Sequence, residues 1–300
     1  MRFLCALPVL ASLALWARLQ MAPEQLDLNT YLPKAPILLR AEILSVSPPP
    51  RFLEPYVATA RLRVTRWYRG TPPPAVELRF AMQGGLRMIN GHNCFVFPPG
   101  THWLILAKER DGALELIDDC YGAFKVAPQL GPVHPDPITQ LEADFTAGLS
   151  SPDPKYRILS LQRLANLHLP SSRPALHHVI ARGEPDETVW AAYAALCTGD
   201  ISVIPTVRGV LEKEPPNWPS GVLAGELSRI KDPAAIPALT EIAWSQSSAG
   251  KASAIAALGN IPSATAALPA ITANLNSDNE SVRQAARRAL AKLTNTPEPQ

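Results

Sequence analysis

The stretch Ala267-Leu268-Pro269-Ala270-Ile271, then Leu275, Ser277-Asp278 and Val282-Arg283-x-Ala285-Ala286-x-x-Ala289-Leu290-x-x-Leu293, decides the fold. Apolar residues recur three and four apart on both sides of Ser277-Asp278, the spacing of one helix face. Ser and Asp just before a helix accept its free N–H groups, so the stretch reads as helix, turn, helix. The same pattern returns upstream. Leu290 closes the series Leu164, Leu196, Leu227, Leu258, Leu290, spaced 31 or 32 residues apart. Pro269 closes a second series in phase with it: Pro174, Pro205, Pro237, Pro269. A fixed period in this range is the mark of a stacked repeat. Leucine packs against the neighbouring unit, alanine lets helices approach, and proline is expected to bend the first helix at a tolerated place.

Five units follow from this phase. First helices are expected over about 138–149, 171–182, 201–213, 233–244 and 264–275. Second helices are expected over about 153–168, 186–198, 218–230, 248–260 and 279–294. Unit three departs most, because Pro215-Pro216-Asn217-Trp218-Pro219 expands its turn. Expansions map to one face, and Trp218 there is a candidate anchor for a partner. The pattern resembles HEAT repeats of the short, phycobilisome-lyase-like type. That resemblance implies an all-α solenoid of about five helix pairs over 138–297.

Before residue 128 the period is two. Ile37 to Val46, Val57 to Tyr68, Val76 to Phe80, Trp103 to Ala107, Leu114 to Ile117 and Phe124 to Val126 read as strands. Arg69-Gly70-Thr71-Pro72, Pro98-Pro99-Gly100 and Arg110-Asp111-Gly112 separate them as turns. Strands of this number in about 100 residues predict a small closed barrel or sandwich over 24–127. The order of the first strand, Leu62-Arg63-Val64-Thr65-Arg66-Trp67-Tyr68-Arg69-Gly70, Pro98-Pro99-Gly100-x-x-Trp103-Leu104 and Asp119-Cys120 resembles netrin-like and TIMP-like domains. That resemblance implies an OB-like barrel. The metal-chelating N-terminal cysteine of the inhibitors in that family has no counterpart between Cys5 and Cys94, so inhibition by that route is not implied. The expected fold class is therefore multi-domain: an all-β OB-like barrel, a Pro-rich connector over 128–137, and an all-α HEAT solenoid.

Arg2 followed by the apolar run Phe3 to Ala17 reads as a secretory signal ending near residue 22. An uncleaved anchor is the alternative, although the run reaches only about 22 Å, short of a bilayer core. Export makes a disulfide permissible. Cys94 and Cys120 are expected to pair, which would contribute roughly 3 kcal/mol by the chain-entropy model. The alternatives are two free thiols, or a zinc site with His92 and His102. Cys197, among Ala194, Ala195 and Leu196, reads as a buried, inert thiol.

Composition excludes little. Net charge is +2 and the apolar fraction is 47%, which describes a folded body without the concentrated basic face of a nucleic-acid binder. No G-x-S-x-G, H-E-x-x-H or P-loop is present, and no catalytic or cofactor site is expected. His177-His178 reads as a solvated pair, and Asp118-Asp119 points to opposite faces of a strand. The expected function is a secreted or periplasmic binding protein, with a protein partner held on the face of the second helices. Arg157, Trp218, Lys251, Arg283 and Arg287 are its candidate contacts. The alternatives are an envelope protein whose barrel loop Met82–Pro99 carries function, and a bilin-lyase-like chaperone. The last is disfavoured by the export signal.

Overall fold

The computed structural model describes residues 28–47, 56–71, 77–82, 97–117, 122–213, 218–245 and 247–295. The signal segment 1–22, His92, Cys94, Cys120 and most of the Met82–Pro99 loop lie outside them. The chain divides into two compact units, Met1–Asp144 and Phe145–Gln300.

The first unit is built on β1 (Ile37–Val46), β2 (Tyr56–Arg69), β3 (Glu77–Met82), β4 (His102–Arg110), β5 (Ala113–Leu116) and β6 (Ala123–Val126). β1 pairs antiparallel with β2 on one edge and β4 on the other; β2 pairs with β3, β3 runs parallel to β5, and β5 returns to β4. The ring is therefore closed. β6 lies on the same edge of β4 as β5. Ala107 pairs with Ile37 on one side and Leu116 on the other, and Trp103 pairs with Ala41 and Lys125 in the same sense. β5 and β6 are thus two lengths of one side of the barrel. Closure leaves few open strand edges.

Alternation fills the ring. Ile37, Leu39, Ala41 and Ile43 of β1 point inward with Leu78, Phe80, Ile105, Leu114 and Leu116. Phe97 stacks edge-on against both Phe80 and Trp103, with centroids 4.7 and 4.8 Å apart. A second apolar layer lies outside the ring, where Leu38, Leu104, Leu106, Phe124 and Val126 are buried on the outer faces of β1, β4 and β6. Residues 127–144 are hydrogen-bonded to that side. The Pro-rich stretch belongs to this compact unit and is pinned to it rather than extended into solvent.

The second unit and its approach comprise ten α-helices among the described residues: α1 (Pro137–Gly148), α2 (Pro154–Leu167), α3 (Arg173–Arg182), α4 (Pro185–Cys197), α5 (Ile204–Lys213), α6 (Trp218–Leu227), α7 (Ile236–Ala243), α8 (Ser248–Leu258), α9 (Leu268–Ala273) and α10 (Glu280–Thr294). The unit boundary falls within α1. The second helices stack in order, α2 on α4, α4 on α6, α6 on α8 and α8 on α10. Leu164, Leu227 and Leu258 are fully buried, and each such leucine contributes roughly 1.5–3 kcal/mol. Gly259 is required where α8 meets α10, since a Cβ there would stand 2.6 Å from Ala289 Cα.

The expected fold class is corrected by this arrangement. In place of an OB-like barrel and a HEAT solenoid of about five helix pairs, the chain is a closed five-stranded β-barrel with a divided fifth side, followed by ten helices of repeat type. The units are not simple helix pairs. A 3-10 turn (Pro170–Ser172, Ile201–Val203, Pro233–Ala235, Ala264–Ala267) precedes α3, α5, α7 and α9. The physical reason is the periodic proline. Pro174, Pro205, Pro237 and Pro269 each occupy the second position of their α-helix. Proline lacks an N–H and clashes with the carbonyl four residues back, so an α-helix starts there instead of running through. The prolines punctuate the first helices rather than bending them.

Candidate functional site

The candidate cations share one local position. Arg157, Lys251 and Arg283 are each the fourth residue of a second helix, preceded by the caps Asp153, Ser247 and Asn279. From there Arg157 reaches back six residues, donating from Nη1 to the Ser151 carbonyl at 2.8 Å and to the Pro152 carbonyl at 3.1 Å. Its Nε and Nη2 both lie 2.7 Å from Glu187 Oε1 of the next unit. Glu187 Oε2 accepts from Arg182 Nη2, also at 2.7 Å. Glu187 is 3% exposed, and its hydrogen bond holds the Arg157 guanidinium above its ordinary pKa. The group lines a cavity of about 230 Å³ with Ser150, Ser151 and Glu184.

Arg283 repeats the reach, donating from Nη1 to the Ser277 carbonyl at 2.5 Å and from Nη2 to the Glu280 carboxylate. Arg157 and Arg283 thus hold their own turns together. Lys251 is half-buried, with no ion pair among the described residues. Arg287 is exposed, four residues beyond Arg283. The same helix position holds the fully buried Leu161, Ala192 and Ile255 in α2, α4 and α8, and the exposed Gly225 in α6. Trp218 begins α6, and its side chain lies outside the described residues. So does the Cys94–Cys120 pair.

The exposed face of the second helices has a feature that the cations do not reveal. On α6 it presents Gly221 and Gly225, one turn apart, and on the adjacent α8 the half-buried Ala252 and Ala256. A Cβ built on either glycine meets nothing within 4 Å. Among the described residues no packing contact therefore asks for glycine, although each costs a helix about 1 kcal/mol relative to alanine. On the neighbouring α4, Tyr193 is half-buried, its ring edge-on to Trp190 at 5.8 Å, and on α10, next to α8, Gln284 and Arg288 are exposed. Sequence periodicity could have found the strip, because the two glycines sit four apart in a helix. Trp244 is a further surface residue that periodicity passes over; it is 55% exposed at the end of α7.

Two other clusters resemble reactive sites. His177 Nε2 lies 2.7 Å from Asp200 Oδ2 and 3.5 Å from Ser202 Oγ. A nucleophilic triad needs the carboxylate on Nδ1 and the serine on Nε2. Here both sit on Nε2, and Asp200 caps the 3-10 turn through Ser202 N at 3.0 Å. Burial opposes ionisation of Asp200, but hydrogen bonds from Ser202 and His177 outweigh it and lower its pKa. The cluster is a turn brace. Cys197 is a free, half-buried thiol pushed up to about 12 by burial and then by Glu226. It is a poor nucleophile. No group of three or more His, Cys, Asp or Glu among the described residues could hold a metal. No helix among them is long and apolar enough to cross a membrane.

In the barrel unit the one dense polar cluster is buried. Asp144 Oδ1 accepts from Arg66 Nη1 and the Gly131 amide, both at 2.7 Å, and from Gln140 Nε2 at 3.3 Å. Oδ2 accepts from the Tyr68 hydroxyl at 2.6 Å, with Arg40 Nη1 at 3.9 Å. Burial pushes the Tyr68 phenol up, with the Asp144 charge adding to it, and burial lowers the Arg40 guanidinium. Arg40 also donates to the Ala127 carbonyl. With Asp144 itself buried and both its carboxylate oxygens already engaged, the cluster is a fastening.

No protein-family model matches the chain, and no curated protein does. Among solved structures the chain is similar to a designed armadillo repeat protein in complex with the peptide (KR)4, at 14% identity, 52% of this chain, 82% of that chain and a TM-score of 0.38. It is also similar to two engineered proteins. One is 18% identical over 52% of this chain and 80% of that chain, with a TM-score of 0.37. The other is 19% identical over 53% and 85%, with a TM-score of 0.38.

Proposed function

We propose that this chain is an exported, non-catalytic binding protein whose helical repeats hold a segment of a protein partner along the exposed face of the second helices. What carries the reading is the strip of Gly221, Gly225, Ala252 and Ala256. Two exposed glycines that weaken α6 and serve no packing contact among the described residues let a partner's backbone approach the helix closely. Tyr193 offers an aromatic wall, and Lys251 offers a cation that the turns do not use. Stacked repeats present such faces as extended binding surfaces. Export rests on the sequence from Arg2 to Ala17.

The test fills the strip. Gly225→Trp introduces a large side chain where a Cβ has open space, so the fold is expected to tolerate it. Partners crosslinked to the tagged full chain in its native envelope are compared with those of the variant by mass spectrometry. Loss of a stoichiometric protein partner at unchanged melting temperature supports the reading. Full retention of every partner contradicts it.

A further inference from the structure

We infer that residues 127–144 form a strap over the outer face of the barrel, and that Asp144 is its main latch. Four observations in one compact unit point this way. The face beneath is apolar: Leu38 pairs across to Leu106, and Leu104 to Phe124, and all four are at most 3% exposed although they point away from the ring interior. The barrel's own core is complete without them, since Ile37, Leu39, Phe80, Ile105 and Leu114 fill the ring from the opposite faces.

The strap buries Ala127 and Leu141 near its ends, but contributes little apolar anchorage at its middle, where Leu130 is 42% and Val133 85% exposed. Polar contacts hold it there instead. To the barrel, Arg66 donates from Nη2 to the Gly131 carbonyl at 3.1 Å and from Nη1 to Asp144 at 2.7 Å, the Tyr68 hydroxyl donates to Asp144 at 2.6 Å, and Arg40 donates to the Ala127 carbonyl. Within the strap the Gly131 amide donates to Asp144, Gln140 Nε2 to the Pro132 carbonyl at 2.9 Å and the His134 amide to Gln140 Oε1 at 2.6 Å. Asp144 therefore joins the two sets, engaging Arg66 and Tyr68 of the barrel together with Gly131 and Gln140 of the strap. The strap is also tightly folded on itself: a Cβ on Gly131 would stand 2.3 Å from the Ala143 carbonyl oxygen.

The seam is also imperfect. Arg40 Nε, His102 Nδ1 and Gln129 Oε1 are buried without hydrogen-bond partners among the described residues. Unsatisfied polar atoms lower the free energy needed to open a seam locally. The strap therefore opens as a unit while the closed ring stays folded, and opening uncovers the apolar face of β1, β4 and β6. This inference is independent of the reading of the helical repeats.

Amide hydrogen exchange of the full chain tests it, with Gly131 and His134 as reporters. In Asp144→Asn these two amides are expected to exchange at least about tenfold faster, while those of β2 and β3 stay within about twofold of the native protein. Tyr68→Phe, which removes one donor and keeps the carboxylate, is expected to accelerate the same two amides less. If β2 and β3 accelerate in step with Gly131 in either variant, strap and barrel are one cooperative body and the inference fails. Unchanged Gly131 exchange in both variants overturns the latch. Should Asp144→Asn not fold, the Tyr68→Phe pattern alone decides.

Discussion

Glu187→Ala is expected to weaken the helical repeats more than any other single change of an acidic residue there. The carboxylate is 3% exposed and accepts three short contacts, two from Arg157 and one from Arg182. Breaking a fully buried ion pair by removing one partner costs about 3–5 kcal/mol. Here the arginines retain 21% and 35% of their side-chain exposure and rehydrate once released, so the expected loss falls to about 2 kcal/mol. For a body of this size that corresponds to a melting-temperature drop of roughly 4–8 °C. Thermal and urea unfolding of the full chain, followed by far-ultraviolet circular dichroism, measures it. A double-mutant cycle with Arg157→Ala separates the pair from the rest, and a coupling of about 1 kcal/mol or more is expected. A loss under about 0.5 kcal/mol with no coupling would refute the view that this triad fastens the first helical repeat to the second.

Other changes follow the same geometry. Gly259→Ala drives a methyl to within 2.6 Å of Ala289 Cα, so α8 and α10 must part; a loss of about 1–3 kcal/mol is expected in urea titration. Gly221→Ala meets open space and should stabilise α6 by about 0.5–1 kcal/mol, read as a rise in melting temperature. Cys197 should resist iodoacetamide at pH 8 in the native protein and react once denatured, as mass spectrometry would record. Its folded thiol is raised from 9.0 to about 12, so the stability it contributes is present below pH 9 and lost as pH rises from 9 to about 12. A Cys197→Ala variant should lack that part of the alkaline decline.

Much of the element order was legible. Alternation in Ile37–Val46, the long run to Arg69 and the Asp111-Gly112 turn each mark a barrel strand or hairpin, because a half-buried strand writes its two faces directly into sequence. The parallel pairing of β3 with β5 and the division of the fifth side were not legible. Both depend on contacts between distant segments. Arg40 shows the limit most clearly. Nothing in Leu38-Leu39-Arg40-Ala41 tells that this arginine, on the outer face of β1, is 1% exposed and bonded to the Ala127 carbonyl far along the chain. The periodic prolines were visible, but their role was not. The same residue can kink a helix or begin one, and the choice rests on the three residues before it. The six-residue reach from Arg157 to Ser151 and from Arg283 to Ser277 was present in the spacing. It becomes meaningful only once each turn carbonyl is seen to face its own helix. Glu187 looks like an ordinary acid in a helix first turn until Arg157 arrives from the preceding unit.

The central claim, that a protein segment lies along the second helices, is tested most directly by a photo-crosslinking amino acid placed at Gly225, with a control at exposed His178 on α3. Crosslinking to one protein from position 225 in the native envelope, and none to it from position 178, is the predicted result. Equal crosslinking from both positions, or none from 225 while the protein still recovers that partner, would contradict the account.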